Sequence, residues 1–236
     1  LEADGNVDNK DNDSNRIKNE DLKDNSTANF MLSVWFYIDN WNTNIETEKN
    51  ILFLHTSATA ETVPELKNSN INISKKHCLT NTDTYKNLSV SLGKYENKLN
   101  IDIETIKGAD DSSGCFTRYI IKNISIQKWN CLIISVDTKT MDVYLDGKLR
   151  NSFILHQPYQ NKQDNNIYLG MHSSYSPGFK GFITRVRYEP NSINPKEAYN
   201  IYKDGIDSSL AKTMFNKYRL KVSFLEYNNE RGSFTI

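Results

Sequence analysis

Residues 129–155 read WNCLIISVDTKTMDVYLDGKLRNSFIL, and this stretch decides the fold class. An apolar run, Cys131 to Val136, meets a polar reversal at Asp137-Thr138-Lys139-Thr140. The alternating run Met141 to Leu145 follows, then Asp146-Gly147, then Lys148-Leu149. Asp-Gly between two alternating runs signals a tight hairpin, because both residues tolerate positive φ. Trp129 to Leu155 is therefore expected to form a three-stranded antiparallel meander, with Ile133, Val143 and Leu145 among its core residues.

The same short-run pattern extends outward in both directions. Apolar-alternating segments occur at Phe30 to Ile38, Ile51 to Leu54, Ser69 to Ile73, Leu88 to Leu92, Lys98 to Glu104 and Phe116 to Ile126. They continue at Asn166 to Gly170, Phe179 to Tyr188 and Tyr218 to Tyr227. With the meander this makes about a dozen strands, more than one sheet holds comfortably, so two packed sheets are expected. One segment breaks the pattern. In 194–205 (NPKEAYNIYKDG) Asn194 supplies an N-cap, Pro195 fits the first helical position, Glu197 completes a capping box and Gly205 stops the helix. Residues 1–28 hold eight acidic and four basic side chains with few aliphatics. Such a stretch buries too little apolar surface to offset the entropy of ordering and reads as a disordered, acidic, Asn-rich linker. The folded domain is drawn over 29–236.

Composition narrows the function classes. The chain has 236 residues, 29 basic and 29 acidic side chains and a net charge of zero. Phosphate-driven nucleic-acid binding needs clustered Lys and Arg, so no nucleic-acid partner is expected. No run approaches the roughly 18 to 20 apolar residues of a membrane-spanning helix. The start at Leu1, without a charged and then apolar leader, suggests a processed form or a fragment whose targeting or anchoring segment lies upstream. Three cysteines allow at most one internal disulfide: Cys131 reads as a buried thiol, and if any pair is bridged it is Cys78 with Cys115. Sequons include those starting at Asn25, Asn72, Asn87 and Asn123, but a chain with 30 asparagines makes them by chance.

Each candidate for chemistry has a plainer explanation. Asp102 and Glu104 project from one strand face and could serve as a glycosidase pair, yet alternation with Leu99, Ile101 and Ile103 explains them as a solvated face. Asp110-Asp111-Ser112-Ser113-Gly114 offers oxygen ligands without EF-hand spacing. His55, His77, His156 and His172 are scattered, and His77, Cys78 and Cys115 lack a fourth zinc ligand. No nucleophile elbow of the GxSxG form occurs. Gly178-Phe179-Lys180-Gly181-Phe182 reads as a strand start with close backbone packing rather than a phosphate loop. Trp35 and Trp129 read as core. Trp41, among Asp39, Asn40 and Asn42, either caps the sandwich edge or is exposed to stack on a sugar or anchor a partner. No catalytic, cofactor-binding or metal-binding residue is assigned.

Taken in order, Ile126-Gln127-Lys128-Trp129-Asn130, the Tyr144-Leu145-Asp146-Gly147-Lys148 hairpin, Asn166 to Gly170, Gly178 to Phe182 and Asn194 to Tyr202 resemble the laminin-G-like (concanavalin A-like) domains. The version encoded by large nucleocytoplasmic DNA viruses is the most similar. The resemblance is good over about 115–205 and extends back to Phe30–Ile38. It implies an all-β, two-sheet antiparallel jelly-roll sandwich with one short helix in the C-terminal half, and a binding or structural role. Family members bind glycans or proteins, some through Ca²⁺, at loops on the sandwich rim; the usual rim Ca²⁺ ligands are not matched here, and no cofactor is expected. The leading expectation is a non-enzymatic virion structural protein, a minor capsid or membrane-associated component. Its partners would be other capsid or virion membrane proteins, and its location the virion or an extracellular-facing ectodomain. The alternative is a carbohydrate-binding module for host attachment, with Trp41 or Tyr175 as stacking aromatics. A glycoside hydrolase built on Asp102 and Glu104 comes third.

Overall fold

The computed structural model describes residues 3–4, 16–18, 22, 28–56, 86–106, 115–161, 165–170, 177–206, 221–226 and 229–235. In chain order the elements are β1 (Ala3–Asp4), β2 (Arg16–Ile17), β3 (Phe30–Asn40), β4 (Lys49–Thr56), β5 (Lys86–Leu92), β6 (Lys98–Thr105) and β7 (Cys115–Lys122). Then come β8 (Trp129–Asp137), β9 (Thr140–Leu145), β10 (Lys148–Ile154), β11 (Asn165–Leu169), β12 (Lys180–Glu189), α1 (Pro195–Lys203), β13 (Lys221–Glu226) and β14 (Asn229–Thr235). The strand expected at Ser69 to Ile73 lies outside the described residues. The chain divides into two compact units, Leu1–Lys203 and Asp204–Ile236.

The meander forms as its sequence dictates. Ile134 pairs with Val143 across β8 and β9, and Leu145 pairs with Lys148 across the β9–β10 turn. Asp146 and Gly147 both have positive φ, 52° and 72°, the type I′ geometry that matches strand twist. Asp146 also fastens the hairpin to β8, since its Oδ1 accepts from the Cys131 amide at 3.0 Å.

Two antiparallel six-stranded sheets build the first unit, in the orders β1-β12-β3-β8-β9-β10 and β2-β11-β4-β5-β6-β7. The chain changes sheet at β1–β2, β2–β3, β3–β4, β7–β8, β10–β11 and β11–β12. Period-two alternation sends Leu32, Val34, Phe36, Leu132, Ile134 and Val143 from the first sheet against Leu52, Leu54, Val90, Ile101 and Ile121 from the second. Each fully buried side chain of this size contributes about 1.5–3 kcal/mol relative to exposure. Two short pieces of the N-terminal segment read as linker, Ala3–Asp4 and Arg16–Ile17, pair with β12 and β11. One outer strand of each sheet is thus covered by this segment, while β10 and β7 end their sheets at the opposite side.

The meander's core residues separate by face. Val143 lies in the core between the sheets and Leu145 packs partly buried against it, whereas Ile133 is fully buried on the opposite, outer face. That outer face carries α1. Tyr202 of the helix stacks on Trp35 with ring centroids 5.7 Å apart, and Ile193, just before the helix, donates its amide to Ser135 Oγ at 2.9 Å. A methyl group on Gly147 would come within 2.8 Å of Tyr202 Cβ, so the hairpin glycine serves both turn geometry and the helix contact. The helix starts as read: Asn194 Oδ1 accepts the Lys196 and Glu197 amides at 3.0 Å each, and Glu197 Oε2 accepts the Asn194 amide at 2.9 Å. Gly205 follows with φ 72°.

The expected strand Phe116 to Ile126 is cut short at Lys122. Asn123 takes a φ of 62°, and the Asn97 side chain captures both the carbonyl and the amide of Ile124, so the backbone leaves the ladder. In the second unit β13 and β14 pair as an antiparallel hairpin; the sequence reading anticipated only its first strand.

Candidate functional site

The outer face of the second sheet holds the carboxylates that suggested hydrolysis. Asp102 on β6 pairs directly across the ladder with Arg118 on β7. Arg118 Nε donates to Asp102 Oδ1 at 2.6 Å and Nη2 to Oδ2 at 2.7 Å, while Nη1 and Nη2 reach both oxygens of Glu48 at 2.5 and 2.9 Å. Asn100 Nδ2 donates to Glu48 as well, at 3.2 Å. Burial disfavours the Arg118 cation, but hydrogen bonds and Coulomb attraction from Asp102 and then Glu48 outweigh it and raise its pKa above the ordinary range. The solvated face expected for Asp102 is therefore a part-buried ion-pair network, with the Asp102 side chain only 14% exposed. Both its oxygens are held in a bidentate fork. Glu104 is half-buried and has interactions of its own.

The structure selects the capping reading for Trp41 and departs from expectation at Trp129. Trp41 is half-buried against the core, and its Nε1 donates to the Lys94 carbonyl at 3.1 Å, which makes it a cap on the sandwich end. Trp129, expected in the core, is half-exposed on the outer face of the first sheet. The reason is parity: Leu132 and Ile134 point between the sheets, so Trp129, Cys131 and Ile133 point outward. Cys131 and Ile133 are fully buried, whereas Trp129 at the strand's first position is not. Trp35 is buried, but against Tyr202 on that same outer face.

Trp129 belongs to a row of rings on three adjacent strands. Phe182 on β12 pairs with Tyr37 on β3, and Tyr37 pairs with Trp129 on β8. Ring centroids are 6.2 Å apart for Tyr37 and Phe182 and 5.7 Å for Tyr37 and Trp129, with interplanar angles of 44° and 53°. Phe182 is 53% exposed. Lys180 and Asp39 lie 3.6 Å apart at one end of the row, and Lys128 and Asp146 lie 3.1 Å apart at the other. Its hydrogen bond to Asp146, then the Coulomb attraction, raises the Lys128 pKa. The row rests on a close approach: a Cβ at Gly181 would sit 1.9 Å from the Tyr37 carbonyl oxygen. Gly178 to Phe182 is thus a strand start with tight backbone packing, as read.

The other flagged residues do not converge on this row. His156 is exposed, and the sequon residue Asn87 is fully buried with Nδ2 donating to Tyr159 Oη at 3.3 Å. Asn123 is exposed. Cys131 is a buried free thiol, its pKa pushed up to about 12 by burial and by the Asp146 charge. His77, Cys78, Asp110 to Gly114, His172 and Tyr175 lie outside the described residues, as do the side chains of His55 and Cys115. The Cys78–Cys115 pairing therefore lies there too. Among the described residues, no three His, Cys, Asp or Glu side chains group as a metal site, and no helix is long and apolar enough to cross a membrane.

Known proteins resemble the chain at two levels. Among solved structures, the receptor binding domain of botulinum neurotoxin C/D mosaic serotype is 14% identical with a TM-score of 0.49, covering 74% of this chain and 36% of that one. The botulinum neurotoxin serotype G binding domain is 18% identical with a TM-score of 0.46, at 74% and 36% coverage. The chain thus spans about a third of the length of those structures. No curated protein matches it. The laminin-G-type profile of the concanavalin A-like lectin/glucanases superfamily matches residues 9–198, and the chain belongs to that superfamily.

Proposed function

We propose that the chain is a non-catalytic binding domain that holds a saccharide across the Phe182–Tyr37–Trp129 row. The three-strand aromatic row, exposed at Phe182 and partly exposed at Tyr37 and Trp129, carries this reading. A pyranose offers an apolar CH-bearing face with a hydroxyl rim, which suits aromatic rings flanked by the Lys180–Asp39 and Lys128–Asp146 pairs. Size favours a small ligand. Each ring offers at most ~150–250 Å² when fully covered, and these three are already partly buried. That falls well short of the roughly 800 Å² per partner of a stable protein interface. Membership in a superfamily of lectins and glucanases supports the same ligand class. The fork on Asp102 argues against hydrolysis, because a nucleophile or general acid needs an oxygen free to meet the glycosidic bond. Glycan-array binding by the intact chain, lost in Phe182→Ala and Trp129→Ala, is the expected result; an array without signal contradicts it.

A second reading has its own observation. The open side at β7 and β10 exposes Ile120 (43%), Leu149 (50%) and Ile154 (84%), and Tyr119 Oη ties the two strands by donating to the Ile154 carbonyl at 3.2 Å. Apolar side chains along an open sheet edge suit a fixed protein partner. In this reading the domain is a virion structural component that packs its β7–β10 side against shell proteins, a setting drawn from the resemblance to viral laminin-G-like sequences. Crosslinks from Lys122, Lys148 or Lys139 to capsid proteins in the native particle support it, and crosslinks confined to the chain itself contradict it.

A further inference from the structure

Lys49, the first residue of β4, is wholly buried, and among the described residues its ammonium meets neutral groups alone. Nζ donates to the Gly93 carbonyl at 3.1 Å and the Lys94 carbonyl at 3.5 Å, and it lies 4.7 Å from the centroid of Trp41. Trp41 closes over it, its Nε1 donating to the same Lys94 carbonyl. The carboxylates on the surrounding elements are engaged elsewhere or face water. Glu48 on the preceding loop is bound by Arg118, Glu96 on the turn by Lys98 at 3.2 Å, and Asp39 at the end of β3 by Lys180, while Glu46 is exposed. Lys94 and Lys98 add only further positive charge.

A buried cation with carbonyl and ring partners lacks the solvation it would have in water, so its charged form favours any state that lets water in. We infer that Trp41 and the 93–98 turn form a proton-linked clamp over Lys49, closed most tightly when Lys49 is neutral and loosened when it is protonated. Burial lowers the Lys49 pKa from 10.5 to about 8 in the closed arrangement. The direction follows from linkage. Between those two values the open state binds more protons than the closed one, so raising the pH drives closure; below about 8 both states are charged and the closed one bears the full desolvation cost. The opening equilibrium should fall about tenfold from pH 7 to pH 9.

The turn of the clamp connects to the start of β8. Asn97, on the same turn, holds Ile124 through two hydrogen bonds, and residues 124–128 lead directly into Trp129. The inference stands independently of what the aromatic row binds.

Amide hydrogen exchange on the full chain tests it, read at Gly93, whose amide donates to Lys98 O, and at Lys98, whose amide donates to Glu96 O. After correction for intrinsic exchange, protection should rise about tenfold between pH 7 and 9 in the native protein and stay flat in Lys49→Met. No rise in the native protein, or an equal rise in Lys49→Met, overturns the clamp. Should Lys49→Met fail to fold, an NMR titration of the Lys49 ε-carbon in the native protein decides: a midpoint near 8 supports the clamp, and one near 10.5 overturns it.

Discussion

The outer faces of the two sheets start from the same backbone pattern and end in opposite chemistry. On the second sheet, Asp102 and Glu48 both pair with Arg118, and the charges are consumed by structure. On the first, Trp35 is taken up by the helix, while one row further along Phe182 stays exposed and Tyr37 and Trp129 partly so. Of the two carboxylates that look reactive in sequence, Asp102 is thus locked. The residues that the proposed binding would use are aromatic, and Trp129 among them looks like core. A polar cluster points to chemistry only when some of its bonding capacity is left over.

The largest expected effect tests the backbone contact beneath the aromatic row. Gly181→Ala sets a methyl group against the Tyr37 carbonyl, where neither strand can yield without breaking the β3–β12 ladder. A loss of about 3 kcal/mol or more in urea unfolding is expected; near-native stability would mean that the two strands pair more loosely than described. Next comes the network on the opposite sheet. Arg118→Met strands Asp102 and Glu48 beside each other and should cost ~2 kcal/mol, less than a fully buried pair because the carboxylates are partly hydrated. Adding Asp102→Leu to that variant should recover part of the loss, and no recovery would mean that Arg118 acts through packing instead.

Both faces illustrate what the sequence makes legible. The meander and helix were readable because their determinants are local: Asp146-Gly147 needs only its own two positive φ values, and the capping box spans Asn194 to Glu197. The Arg118 fork was not readable, because Glu48 is 70 residues away and only the β6–β7 register brings Asp102 opposite. Trp129 was placed in the core for a related reason. In the continuous run Cys131 to Val136 both faces are apolar, so alternation cannot tell which face Trp129 joins, and the helix that buries its neighbours comes more than 60 residues later. For Trp41, local sequence left capping and exposure open, and the choice is made by Lys49 and Lys94 from other elements. Placing α1 on the first sheet also explains why that sheet is apolar on both faces.

A smaller effect probes the helix that separates covered from uncovered rings. Asn194→Ala removes the acceptor for two amides and should cost ~1 kcal/mol by chemical denaturation. A change below about 0.3 kcal/mol would show that Ser135 and the Trp35–Tyr202 stack hold the helix without its cap. The smallest stability effect belongs to the row itself: Phe182→Ala, already 53% exposed, should shift unfolding by no more than about 0.5 kcal/mol. A larger loss would make Phe182 a structural residue.

The most direct test sets the two faces against each other in one titration. Calorimetry with the strongest glycan-array ligand should give affinity at least about tenfold weaker in Phe182→Ala and unchanged affinity in Asp102→Asn. Unchanged binding in Phe182→Ala, with loss in Asp102→Asn, would contradict the account and move the binding surface to the second sheet.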